Sequence, residues 1–592
     1  MKVYQKTYLE NCLKVQKLLY TPLAPASDGV FAAQVCHTEQ EIRSLRAENL
    51  CLLTDHLFPQ LDALAGAGET EISELSGFAD ALMDWKRNAD IGVYCAIHAA
   101  LLRLHRIRAD RDGIIRELYK LGMGMYYMNR SIERVPGEVR DSLYFQAEML
   151  FTEAASYLPF LHRLTSEETR GYVIRAQANI AIASRNPHRK IAASARVLSI
   201  AKDPDYTSAS PGLPWERYIR ATHQQMSANR TELSRGDLTP AELSLVLDSC
   251  YEVFRPELGS GRPSNRWLWP YYEMNYTCGH ASLEDTLHRM EQLILATDPE
   301  DASMDGLYGN VQLPIYYGRL VRDTQAREDG RRLRFLDRAY RRMLRRMLSL
   351  PEERMDDYVF FLLSEMLTEF VEIPGQLTYA ELVRRLMARY DMPLFLACER
   401  RACVCDLLAG YVVASGNSLA DAELPENFVH LAAFYMDAGR LKMHLTGAYA
   451  RQLFSDEDRM METHDLAGFQ DLRKHESTAM YADTALGHHA WYAQIHPVYD
   501  RNTSPYRKVT DIDAVAAYLM EEVGEAMDEK EKRERLDRAM DTVLRLSGTR
   551  FSPVVAACLG DREVRAGIGS VLFEEDAPYL ALREALRDRE ES

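Results

Sequence analysis

The chain has 592 residues and a formal net charge of −17, from 71 lysines and arginines against 88 aspartates and glutamates. Hydrophobic residues make up 47%, which supports buried cores and excludes a disordered chain. The acidic balance excludes nucleic acid as a default partner but leaves room for a small anionic ligand in a local basic pocket.

The start, Met1-Lys-Val-Tyr-Gln-Lys-Thr-Tyr, has no apolar core behind its basic residues, so no signal peptide is expected. No apolar run is long enough for a membrane span. The mildest candidate, Cys403 to Ala420, contains Asp406, Ser415, Asn417 and Ser418 and reads as a buried helix with its exit loop. The 10 cysteines follow no framework spacing. The group Cys398, Cys403 and Cys405 lacks both a C-x-x-C pair and a fourth ligand for zinc. Reduced, buried cysteines in a cytoplasmic protein are expected.

Helical periodicity dominates from the N-terminus onward. Ile97, Ala100, Leu101, Leu104 and Ile107 form an i, i+3, i+4, i+7 stripe, as do Leu143, Ala147, Leu150 and Phe151. Between Thr169 and Pro204 the pattern predicts a helix, a turn at Arg185-Asn186-Pro187, and a second helix. This hairpin partly matches a tetratricopeptide repeat; generic helical packing is the alternative. Breaks are expected at Asp203 to Pro214, at Arg255 to Pro263 and at Pro374-Gly375. They predict three regions: an N-terminal helical region over 1–205, a second over 206–374, and a C-terminal domain over 375–592. The fold class is all-α, an irregular or repeat-like bundle followed by a compact helical domain.

Eight arginines lie between Arg331 and Arg346, around a stripe of Leu336, Ala339, Tyr340, Met343, Leu344, Met347 and Leu348. A basic amphipathic helix can bind phosphate groups or a membrane surface. The reading adopted is a solvated face paired with acids, with Glu328, Asp329, Glu352 and Glu353 at hand. His98 and His105, on one helix without a carboxylate between them, read as core or surface histidines.

The C-terminal third holds the chemistry. In order come Met436-Asp437-Ala438-Gly439-Arg440, His464 with Gly468, Gly487-His488-His489, Ser504-Pro-Tyr-Arg507 and Gly548 to Pro553. An Asp and several His from separate helices can converge on a divalent metal such as Fe, Mn or Zn. A metal-free polar cluster tied together by Asp437 is the alternative.

These motifs resemble the HD-GYP branch of the HD phosphohydrolases over roughly residues 385–560. Asp437 falls on the Asp of that family's His-Asp pair, Gly439-Arg440 on its Gly-Lys, His464 and Gly468 on its third motif, and His488-His489 on its His-His pair. Asp437 and His464 are 27 residues apart, and His464 and His488 are 24 apart, close to the family's intervals.

The resemblance implies metal ligands Asp437, His464, His488 and His489, and catalytic contacts from Asp437 and Arg440. It also implies a cyclic dinucleotide or other phosphoester as substrate. The chain departs from the pattern at Met436, Ala490 and Ala517, which stand where the family has His, Glu and a late Asp. The first family His is missing, with Arg400 or Arg401 near its place. Enough ligands survive for one divalent ion and too few for a two-metal clamp. His430, His444, His475 and His496 are expected to be ordinary helix-surface residues rather than replacement ligands.

The resulting expectation is a degenerate phosphohydrolase-family protein with a signalling, scaffold or nucleotide-sensing role. Its N-terminal helices would contact a protein partner, and a homodimer is admitted although no heptad seam marks one. The alternatives are an active metal-dependent phosphohydrolase and a purely structural helical-repeat interaction protein.

Overall fold

The structure is a computed structural model. It describes the whole chain except residues 21–30, 84–90, 132–136, 210–211, 213, 217–218, 221, 224–237, 259–264, 352–356, 374, 421–422, 443–463, 497, 525–528, 574–576 and 589–592. Among the described residues every extended element is a helix, and β structure is limited to one isolated bridge between Ser547 and Phe551. The all-α expectation therefore holds. No described helix is long and apolar enough to cross a membrane.

The apolar stripes explain the helices. Ile97, Ala100, Leu101 and Leu104 are buried along the Ile91–Ile107 helix, where 3.6 residues per turn brings them to one face. Ile107, the last member of the expected stripe, is instead 78% exposed because the helix ends there and nothing packs over it. The expected hairpin consists of helices Glu167–Ala183 and Pro187–Ala201. Asn186 turns the chain by accepting a hydrogen bond from the Arg189 amide, and Pro187 fills the first helical turn. The break expected at Arg255 begins late, since the Pro240–Leu258 helix runs through Pro256. Pro263, Pro374, Glu352, Glu353 and His444 lie outside the described residues.

His98 and His105 are core residues. His98 Nδ1 lies 2.5 Å from Glu117 Oε2, and Arg116 Nε donates to Glu117 Oε1 at 2.8 Å. Arg116 continues to His105 at 3.2 Å, and His105 reaches Asp110 at 2.7 Å. The arginine-rich helix Gly330–Leu348 is less solvated than expected. Arg332 and Arg346 are buried, and Arg332 is held by Glu291 and, at 2.6 Å, by Glu284. Arg342 Nε donates to the Asn310 side chain at 2.9 Å. The partners come from neighbouring helices, so this helix serves as a packed brace rather than a free basic face.

Buried apolar residues from Ile191 to Leu572 form one continuous cluster that passes across position 374. A second cluster runs from Tyr8 to Ala193. The chemistry-bearing histidines sit in the later, larger core.

Candidate functional site: a buried Asp–His cluster

Four helical segments converge on Asp437. The Met392–Ala414 helix starts with the Asp391 side chain accepting from the Leu394 amide at 3.1 Å, with Pro393 in its first turn. The Phe428–Tyr435 helix ends in a turn at Met436 and Asp437, and a new helix starts at 438. The His464–Leu472 helix crosses that new helix at Gly439 and Gly468. A Cβ built on Gly439 would lie only 1.9 Å from the His464 carbonyl oxygen and 2.7 Å from the Gly468 nitrogen. Only glycine permits that backbone approach, and it brings Asp437 against His464. His488 follows the Ala482–Gly487 helix, whose last glycine packs beneath the Tyr499 ring.

Asp437, His464, His488 and His489 come together. His464 Nε2 lies 2.9 Å from Asp437 Oδ1, and His488 Nε2 lies 3.6 Å from the same oxygen. The Nε2 atoms of His464 and His488 are 3.1 Å apart, and those of His464 and His489 are 3.3 Å apart. Asp437, His464 and His488 are buried, while His489 opens partly to solvent. The other oxygen, Asp437 Oδ2, accepts from Arg401 Nη1 at 2.5 Å. Arg440 Nε approaches Oδ1 at 3.2 Å, and its Nη2 lies 3.6 Å from Glu521.

The donor chemistry suits one metal ion. His488 Nδ1 lies 2.7 Å from the Ala485 carbonyl. A carbonyl only accepts, so Nδ1 carries the proton and Nε2 presents a lone pair to the cluster. Burial and the neighbouring His489 push His488 well below the ordinary histidine range, and burial with His464 pushes His489 down to about 4. Both rings are therefore neutral near pH 7, the form that ligates. Burial works against ionising Asp437, but Arg401, Arg440 and His464 together hold its carboxyl well below the usual carboxylate range. Donors about 2.0–2.1 Å from a tetrahedral ion stand roughly 3.3 Å from one another. His464, His488 and His489 form a group of possible ligands whose nitrogens lie within 4.8 Å of one another, and Asp437 Oδ1 joins it through His464 at 2.9 Å and His488 at 3.6 Å. Asp437 Oδ1 is buried and faces His464 Nε2 at 2.9 Å and Arg440 Nε at 3.2 Å. The residues present fit one divalent ion.

The sequence reading missed Glu521. On the Arg507–Gly524 helix it stands one turn after Ala517, and its Oε1 lies 4.0 Å from His489 Nε2 at the rim of the cluster. Burial pushes its carboxyl up. The signal was available as a carboxylate at i+4 from Ala517, on the same helix face.

Among the described residues, His430, His475 and His496 lie apart from the cluster. His475 is not a surface residue as expected; it is buried, stacks on Tyr379 at 3.9 Å between ring centres, and is pushed down to about 4 by burial. His430 bridges Asp406 at 2.7 Å and Glu399 at 3.6 Å, so it too is more than an unpaired surface ring. His496 Nδ1 caps the amides of Val498 and Tyr499. None of the nine described cysteines forms a disulfide.

No family model matches the chain, and no curated protein matches it. Among solved structures, a circular tandem repeat protein with a novel repeat topology and enhanced subunit contact surfaces is similar at 12% identity and a TM-score of 0.13, over 99% of this chain and 100% of that one. At that TM-score the likeness carries no argument about fold or function.

Proposed function

We propose that residues 375–592 form a degenerate HD-type domain that holds one divalent transition-metal ion on Asp437, His464, His488 and His489. In this reading the ion and Arg440 bind a nucleotide or another phosphoester, with little or no phosphodiester hydrolysis. The helices before it offer a surface to a protein partner, so the whole chain acts in signalling or scaffolding. The observation that supports this best is the convergence of His464, His488 and His489, with Asp437 Oδ1 at 2.9 Å from His464 and His488 fixed in the ligating tautomer. A bound ion of this kind polarises a phosphoryl oxygen as a Lewis acid. Two-ion hydrolysis needs further ligands, and Met436, Ala490 and Ala517 supply none.

The test is elemental mass spectrometry of the purified protein and of His488→Ala, alongside turnover of cyclic-di-GMP and bis(4-nitrophenyl) phosphate. Near-stoichiometric iron, manganese or zinc that vanishes in the variant, with turnover at background, is expected. No metal in either protein would defeat the reading. Metal-dependent turnover abolished by His488→Ala would replace it with an active phosphohydrolase.

A further inference from the structure

Asp437, His464 and His488 are buried, whereas the side chains of His489, Arg440 and Glu521 are 35%, 30% and 45% exposed. These three form the mouth of the cluster. Arg440 is already held by two carboxylates, since its Nε approaches Asp437 Oδ1 at 3.2 Å and its Nη2 stands 3.6 Å from Glu521 Oε1. The same Glu521 oxygen lies 4.0 Å from His489 Nε2. An anion that enters past Arg440 and His489 therefore meets a carboxylate within 4 Å of both. Glu521 projects from the Arg507–Gly524 helix three residues after Tyr518, whose ring carries the Arg550 guanidinium at 4.6 Å. Arg440 and Arg550 both favour the charged form of Glu521.

We propose that Glu521 is a specificity-determining residue, a fixed negative charge at the mouth that disfavours doubly charged phosphomonoesters relative to singly charged phosphodiesters. The proposal rests on the reading that Arg440 and one ion take a phosphoester here. Glu521 acts on such a ligand in two ways. It engages Arg440 Nη2, so any phosphoryl oxygen that uses the guanidinium fork has to displace that contact. This weakens both ester classes alike. The carboxylate also repels the bound phosphoryl group in proportion to the ligand's charge, and this separates them. A phosphoryl oxygen bonded to Arg440 Nη2 comes within about 4–6 Å of Glu521, where one extra charge on the ligand, screened by water at a half-exposed carboxylate, shifts relative affinity by roughly three- to tenfold.

The experiment measures binding of 4-nitrophenyl phosphate and of methyl 4-nitrophenyl phosphate to the full-length, manganese-loaded protein by calorimetry at pH 8. The two ligands differ by one methyl group and one charge, the monoester being doubly charged there. Glu521→Gln keeps the side chain's shape and removes its charge; Glu522→Gln removes the same charge from the neighbouring residue. Glu521→Gln is expected to tighten both ligands and to move the affinity ratio toward the monoester by roughly three- to tenfold, while Glu522→Gln leaves the ratio in place. An unchanged ratio in Glu521→Gln overturns the proposal. So does an equal shift in Glu522→Gln, which would make it an effect of net charge, and so does the lack of binding of either ligand to wild type and Glu521→Gln. If the ratio moves as expected while His488→Ala binds both ligands as tightly as wild type, the role of Glu521 stands and the ion on the histidines is defeated.

Discussion

Gly439→Ala tests whether the helix crossing creates the cluster. The added methyl would sit 1.9 Å from the His464 carbonyl oxygen and 2.7 Å from the Gly468 nitrogen. Both neighbours are backbone, so no side chain can swing aside. The crossing segments have to part by roughly 1–1.5 Å, an overpacking strain of about 2–4 kcal/mol at this tight contact. For a cooperative unit of the size of the C-terminal region that lowers Tm by roughly 5–15 °C. The same displacement pulls His464 from Asp437, whose 2.9 Å contact has no slack, so metal retention falls by about tenfold or more. Gly410→Ala is the control: a Cβ there meets nothing within 4 Å, and alanine in a helix interior gains about 0.5–1 kcal/mol. Thermal denaturation by circular dichroism and metal content measure both effects. A Gly439→Ala protein with unchanged Tm and full metal would refute the claim that this backbone approach positions Asp437.

Further outcomes follow from the charged groups. Burial pushes Asp513 up to about 7, so its uncharged form belongs to the fold; the stability it contributes is present below about pH 4 and lost as pH rises to about 7, on the order of 4 kcal/mol. Asp513→Asn should therefore unfold at higher denaturant than wild type at pH 8 and lose that advantage at pH 4; equal midpoints at pH 8 would contradict the assignment. His430 is raised to about 9 by its bonds to Asp406 and Glu399, so the stability it lends is complete below about pH 6.5 and lost as pH rises through 9. Its imidazole resonances should titrate far above an ordinary histidine, and Asp406→Asn should move them back toward neutrality. Glu117→Leu strips the buried His98 and Arg116 of their shared carboxylate and should cost about 3–5 kcal/mol in chemical denaturation. Lys202→Ala, which removes an exposed pair with Glu252, should leave the midpoint in place.

The fold class was legible because helical periodicity is a local property. The stripes at Ile97 to Leu104 and Leu336 to Met347 point inward as their spacing predicts. The Asn186-Pro187 turn was readable for the same reason, since a cap and a fixed φ act within a few residues. The ordered motifs around Asp437, Gly439, His464, Gly468 and His488 also pointed to residues that do meet, because the glycines permit the crossing and the histidine spacing sets the helices that carry them.

What a long polar side chain does depends on helices distant in sequence. The arginines of the Gly330–Leu348 helix have partners as far back as Glu284 and Glu291. His475 is buried because Tyr379 covers it. Glu521 reaches the cluster because its helix packs beside His489, although no fixed-interval motif marks it. Arg401 and Asp437 are 36 residues apart, and only the packing of their helices makes one the counter-charge of the other. By itself the sequence determined which segments are helical and which of their faces turn inward, because both follow from local geometry. The tertiary structure alone decided which buried charges meet, since desolvation and pairing belong to two helices at once.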